Sequence, residues 1–554
     1  MDTPHVTGEG STPSERYPEH ASLSRLWSIS IIATAAAALL LKLLLAARTY
    51  GTNDVYRYEA FMAASRYFGV FIYRAIPEFN HPPSMIHVLR LFGYLANATG
   101  LPFAFWLRVP GILADAASVW VLWKIMGPRL QDRSIRWALL LFAAAPPLVL
   151  ISGFHGNTDT VMIFFLLLSV YLNEKGTHTW LAGAMFGVSM CFKITPVISA
   201  PAIFFYLRNP KKQISFFAAT GGVLLIAWSP FIFQDPWFIL HQVFGYRSSF
   251  GHGGLSFFSN YLVYRQPVWG LVNYAYWWAG SYVLLAGITG FSFWMNRTPN
   301  RPRLYSQVGI VFCLFLSLTT GFGVQYLAWL VPWVVGLGAL PTAVYFVASG
   351  SFLFLVYNYW SQGIPWYMAD SYNLGDYQGH LDYFQLACWL SVVVISIIAW
   401  KQIQAPAMEQ HPAHVSRSAR VLQFAGMAAA LVLLVYSVQW QARRDNTFLP
   451  WQARQNSALR VRAAQFSLLS LQLYHMDRYQ EAISAARQSA TLWPDSPDAY
   501  ANLAASYAAL HNWDEAVQNA QQAFHLKPNS SLLKNNLDRI LEEKQKAAGS
   551  ESPR

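Results

Sequence analysis

Apolar runs follow one another from Leu26 to Trp440, and polar sequence dominates afterwards. A hydrocarbon core about 30 Å thick is crossed by roughly 20 apolar residues in a helix. Windows of that length predict about 13 spans, counted on this criterion. They fall near 26–47, 106–126, 135–152, 157–173, 179–194, 196–208, 213–233, 271–295, 305–321, 325–340, 342–358, 383–400 and 421–440. The runs 179–194 and 196–208 are short for spanning and read as one broken hairpin, with Lys193 and Pro196 at the break. Residues 1–25 are polar, are expected to be disordered and carry no cleavable signal pattern, so the first span itself directs insertion. The fold class is all-α: a polytopic transmembrane helix bundle over 26–440, a linker over 441–462, a short α-solenoid over 463–546 and a disordered end over 547–554.

The solenoid is read from an internal repeat of 34 residues. It superimposes Leu469 on Leu503, Tyr479 on Trp513, Ala482 on Ala516, Ala486 on Ala520 and Pro494 on Pro528. Large residues on a first helix, small Ala on a second and Pro at the turn form the tetratricopeptide pattern. Residues 531–546 then supply a polar-faced closing helix. Such a tail binds a protein partner or packs on the membrane part.

Composition agrees with a membrane location, with 54% hydrophobic and 12% charged residues, against about 25% charged in soluble domains. The net charge of +12 reads as basic loops facing anionic lipid, not as nucleic-acid binding. Basic clusters after the second span (Lys124, Arg129, Arg133, Arg136), the sixth (Arg208, Lys211, Lys212) and the eighth (Arg297, Arg301, Arg303) share one side if the spans alternate. That side is read as cytoplasmic. The loops 48–90, 153–159, 234–270 and 361–382 then lie outside. Counting spans puts the tail outside, while the arginines flanking the last span would tolerate it inside. The cysteines Cys191, Cys313 and Cys388 sit in apolar runs and read as buried hydrophobes.

Candidate chemistry lies in the outer loops. Asp54 follows the first span, where a carboxylate can accept a proton from an attacking hydroxyl. Glu59, five residues on and expected on roughly the same helix side, would orient it or bind an acceptor. The turn Asn80-His81-Pro82-Pro83 makes His81 a substrate-binding candidate. In the turn 153–159, His155 and Asp159 exceed what a helical hairpin requires. Arg247, in a Gly- and aromatic-rich loop, offers a fork for a phosphate. Asp115, inside the second span, should face the bundle interior, with Lys193 or Arg108 as its partner and either a structural or a site role.

No Asp-x-Asp, Walker-type phosphate loop, His-Glu-x-x-His or Gly-x-Ser-x-Gly occurs in the sequence, which argues against metal-held nucleotide-sugar transfer, ATP-driven transport and the common hydrolases. The segments NDVYRYEAF, NHPP, RVPGILADAASVWVLWKI, SGFHGNTDTVMIFFLLL, MCFKITPVISAPAIFFYL and GFGVQYLAWLVPW resemble the GT-C superfamily of integral-membrane glycosyltransferases over roughly residues 26–400. The resemblance implies an inverting, metal-independent transfer from a polyprenyl- or dolichyl-phosphate sugar, with Asp54 as base and no cofactor. Gln325 and Tyr326 stand where the family often has a His-containing motif for the donor phosphate. The acceptor is a glycan, lipid or protein. The expected location is a bacterial inner membrane with the site on the periplasmic face, since no eukaryotic retention signal is read at the C-terminus. Two alternatives remain: a lipid-linked glycan ligase or polymerase, and a non-catalytic scaffold or transporter that recruits partners through its tail.

Overall fold

The computed structural model describes residues 25–404, apart from 77, 177, 230, 246, 247, 249, 251, 252, 299, 300, 362–365 and 372–379, and residues 450–550. Its principal helices are α1 (Arg25–Arg48), α2 (Asn53–Phe68), α3 (Ser84–Thr99), α4 (Phe103–Met126), α5 (Arg133–Ala143), α6 (Asp159–Lys175), α7 (Thr179–Phe192), α8 (Ala200–Leu207), α9 (Pro210–Trp228), α10 (Gly270–Arg297), α11 (Leu304–Leu318), α12 (Leu327–Val334), α13 (Ala339–Trp360) and α14 (His380–Gln404). The tail adds α15 (Pro450–His475), α16 (Tyr479–Leu492), α17 (Pro497–Ala509), α18 (Trp513–Leu526) and α19 (Ser531–Ser550).

Among the described residues, five stretches are long and apolar enough to cross a membrane: 25–48, 103–129, 133–155, 339–360 and 381–404. Four further apolar helices, over 179–192, 195–207, 304–318 and 324–337, are shorter. The chain is thus an integral membrane protein of helices, several of them broken. The break between 179–194 and 196–208 falls where the sequence places it: Lys193 leaves α7 in an extended conformation (φ −158°, ψ 140°). The span expected at 421–440 lies outside the described residues. The stretch 450–462, expected within a linker, is already helical.

Arg129 and Gln402 both donate to the Gly336 carbonyl. Arg303 reaches the Ile125 carbonyl and Glu174, and Arg208 reaches Asn296. The basic clusters therefore gather at one end of the bundle. The loops after α1 and α5 meet at the other.

Close helix contact is built from small residues. Gly183 and Gly187 on α7 form a Gly-x-x-x-Gly stripe, which lets backbones approach. Thr220 of α9 donates to the Gly183 carbonyl at 2.9 Å. A Cβ on Gly183 would stand 2.1 Å from the Phe216 carbonyl oxygen, whereas one on Gly222 would meet nothing within 4 Å. Gly183→Ala is expected to cost about 1–3 kcal/mol, the usual range for overpacking, and Gly222→Ala to be neutral or slightly stabilising. Melting of the two purified variants in one detergent checks the contrast.

The tail folds as successive packed helices, α15 on α16, α16 on α17, α17 on α18 and α18 on α19. The repeat alanines Ala482, Ala486, Ala516 and Ala520 are all buried, and so is Leu503. Leu469, its counterpart in the repeat, is 42% exposed. Helix α15 packs directly on α2.

Candidate functional site

The first helix ends at Arg48, and three residues later the chain makes a short parallel pairing, strand β1 (Gly51–Thr52) on β2 (Met368–Ala369). Thr52 then caps α2: its hydroxyl accepts from the Asp54 amide at 3.3 Å and donates to the His155 carbonyl at 2.9 Å. Asp54 therefore stands in the first turn of α2, where the helix N-terminus favours a negative charge. Opposite it, residues Ile151–His155 form a π-turn, a widening that recurs at functional sites. Gly156 leaves that turn with φ +83°, and a Cβ there would meet Val55 Cγ2 at 2.4 Å. Only glycine lets α2 come this close.

The result is a clamp on Asp54. His155 Nε2 lies 3.0 Å from Oδ2, and the Asn157 side-chain amide donates to the same oxygen at 3.0 Å. The other imidazole nitrogen, Nδ1, pairs with the Tyr357 hydroxyl at 2.8 Å. His155 is buried, while the Asp54 side chain keeps 28% of its surface open. Burial pushes the Asp54 carboxyl up, but the His155 hydrogen bond and the charges of His155, Arg57 and Lys193 outweigh it and hold it well below the usual carboxylate range.

Asp54 opens into a cleft it lines together with Arg57, Tyr58, Asn80, His81, Asn157, Lys193 and Gln325. Lys193 Nζ is 2.8 Å from Asp159 Oδ1 and rides over the rings of Tyr326 and Trp329 at 5.1 and 5.3 Å. Trp329 also donates to Asp159, and Tyr326 stacks on Trp329 at 3.9 Å. A cation is thereby fixed across the cleft from a carboxylate. Burial, with the charges of Lys193 and Arg57, pushes His81 down to about 3 against the pull of Asp54. It is a neutral polar group there, not a cation.

Comparison with known proteins follows the same outline. Residues 80–233 match the family described as dolichyl-phosphate-mannose-protein mannosyltransferase. GPI mannosyltransferase 1 of Schizosaccharomyces pombe is 24% identical over 195 residues, 34% of this chain and 50% of that protein. The dolichyl pyrophosphate Glc1Man9GlcNAc2 alpha-1,3-glucosyltransferase of Arabidopsis thaliana is 24% identical over 158 residues, 26% and 30% of the two chains. GPI mannosyltransferase 1 of Trypanosoma brucei brucei is 29% identical over 89 residues, 16% and 20%. These likenesses support a membrane glycosyltransferase. The chain spans half or less of the length of these curated relatives. No solved structure matches it. The glycosyltransferase-like segment 80–233 contains His81, Asp115, His155, Asp159 and Lys193, while Asp54 precedes it.

Of the residues singled out in the sequence, Asp54, His81, Lys193 and Gln325 share the cleft, with His155 behind Asp54, and Asp159 and Tyr326 beneath Lys193. Arg247 lies outside the described residues. Glu59 does not join them. Its carboxylate accepts from Tyr50 at 2.8 Å and from Gln465 of the tail at 3.2 Å. Five residues at 100° each carry it about 140° around the helix from Asp54, so the two do not share a side. Asp115 pairs neither with Lys193 nor with Arg108: it takes Lys42 of α1 at 2.6 Å and the Ser152 hydroxyl at 2.6 Å. The pair is buried in the bundle and reads as structural.

Sequence reasoning passed over Arg57, three residues from Asp54 and so on its side of the helix, and over Asn157 and Tyr357. It also missed the role of Arg108. That guanidinium is wholly buried and donates to the Ala46, Thr49, Gly153 and Phe154 carbonyls and to the Thr49 hydroxyl, at 2.6–3.3 Å. It caps the end of α1 and ties it to the π-turn, meeting carbonyls that a helix end leaves bare.

Proposed function

We propose that the protein transfers a mannose-like or glucose-like hexose from a polyprenyl-phosphate donor to an acceptor, with inversion at the anomeric carbon. The observation that carries this reading is the Asp54 carboxylate, clamped by His155 and Asn157 and facing the fixed Lys193 cation across one polar cleft. The acceptor hydroxyl attacks the anomeric carbon and Asp54 takes its proton. The bond from that carbon to the phosphate oxygen breaks, and the lipid phosphate leaves as an anion. Lys193 and Arg57 meet its charge, so the reading requires no metal or other cofactor. Gln325 and the neutral His81 offer hydrogen bonds to sugar or phosphate oxygens. The names of the similar proteins, two mannosyltransferases and a glucosyltransferase, support a hexose. The site lies at the end of the bundle away from the basic clusters, which supports an external face; a bacterial inner membrane, with that face periplasmic, is part of the same proposal.

Isolated membranes supplied with labelled polyprenyl-phosphate hexoses test the donor class. Label is expected in a product, with release of polyprenyl phosphate. Label moving only from a nucleotide sugar overturns the donor assignment. Label arriving as a whole oligosaccharide identifies a ligase or polymerase instead. The double change Lys193→Met with Asp159→Asn, which leaves no bare buried carboxylate, is expected to lower kcat/KM for the donor roughly 10- to 100-fold. That is the worth of one hydrogen bond to a charged group, about 1.5–3 kcal/mol.

A further inference from the structure

The tail is fastened to the catalytic helix itself. Gln465 of α15 donates to Glu59, and Gln472 donates to the Ala60 carbonyl at 3.4 Å. Val461 is buried in one small apolar cluster with Tyr56 of α2 and Met368 of β2. These contacts take hold of both sides of Asp54: the helix that bears it and the strand pair that precedes it. On the membrane part, Asn53 accepts from the Ser371 hydroxyl at 3.1 Å, closing the same corner.

Charge continues the connection. Arg460 of α15 is pushed down by burial and supported by Asp370, beside β2, and by Asp495. Asp498 of α17 is pushed up by burial, and Lys527 and Arg57 pull it back. Arg57 lines the cleft with Asp54 and so feels a tail carboxylate as well as the base.

We propose that the tail acts in cis on the reaction: docked through Gln465 on Glu59, it fixes the pose of α2 and thereby of Asp54 and Arg57, so that full transfer requires the docked tail. Glu59 is in this account a positioning residue and not an acceptor ligand. The proposal rests on the glycosyltransferase reading. It differs from a tail that merely recruits proteins, because the tail's own first helix occupies the surface beside the base.

The test uses the full chain in membranes. Gln465→Glu sets two carboxylates against each other at the anchor. Glu59→Gln with Gln465→Glu restores the hydrogen bond with its polarity exchanged. A photoreactive amino acid in place of Gln472 reports docking independently of activity, by capture of the peptide 53–68. The expected result is capture in the wild-type background and in the exchanged pair, and loss of capture with Gln465→Glu. Together with that loss, kcat falls about tenfold or more, a coupling of ordinary size, and the exchanged pair recovers it. Lost capture at unchanged kcat overturns the proposal, and so does retained capture with Gln465→Glu. A wild type that captures α2 yet transfers no sugar overturns the glycosyltransferase reading and this proposal with it. Wild-type transfer that is insensitive to the anchor overturns this proposal alone.

Discussion

Asp54→Asn is expected to leave the fold intact and to lower sugar transfer by about 10²–10⁴-fold, the range ascribed to a positioned general base. Asparagine has the same size, and its amide oxygen still accepts from Asn157 and from a protonated His155 nitrogen, so the clamp persists. What it lacks is the ability to take a proton. The resting carboxylate is held well below its ordinary range, which makes it a weak base. A weak base suffices if the hydroxyl becomes acidic only as its oxygen bonds to the anomeric carbon. The pH dependence follows from the sign of the shift. A depressed carboxylate is ionised above its folded pKa, so activity owed to Asp54 is lost only as pH falls through that depressed value. The same linkage adds stability above the unfolded pKa and loses it in acid. Transfer measured from pH 5 to 8 should therefore show no limb from Asp54. Full activity of Asp54→Asn in folded protein would sink the assignment and make Asp159 the next carboxylate to change.

Arg108→Leu is expected to destabilise the protein by about 3 kcal/mol or more, since a buried acceptor left bare costs roughly 1–3 kcal/mol. Several are bared at once: the carbonyls of Ala46, Thr49, Gly153 and Phe154 all receive from this one guanidinium. Arg108→Lys keeps the charge on a single nitrogen with three donors and no planar fork. It should recover part of the loss. Melting of the purified variants, with the monodisperse fraction after extraction, gives the measurement. An unshifted Arg108→Leu would show that the end of α1 and the π-turn hold together without it.

The helices and the position of Asp54 were legible because their signals are local. Runs of apolar residues mark α4, α13 and α14 by length alone, and Asp54 stands out as an acid directly after a span. The turn 153–159 carried more polar groups than its geometry needs, and His155 and Asp159 proved to be the residues behind Asp54 and Lys193. Pairings were not legible. Lys42 is the one charge between the terminal arginines of a helix of 24 residues, and window averages erase it. Its partner Asp115 is 73 residues away. Glu59 falls away from Asp54 because five residues do not return to a common face of an α-helix. Arg108 reads in the sequence as a counterion, yet its partners are mainly carbonyls, which every sequence offers everywhere.

The docking of α15 on α2 also bears on which end of the bundle the tail occupies. Helix α14 follows the corner where Ser371 meets Asn53 and descends through 25 residues, about 37 Å at 1.5 Å each. Near its end Gln402 shares the Gly336 carbonyl with Arg129. The chain reappears at Pro450 in the helix that packs on α2. Gln404 and that helix thus stand at opposite ends of the bundle. The tail and Asp54 thus stand at the same end of the bundle, so a group bound to the tail would meet Asp54 without passing through the helices.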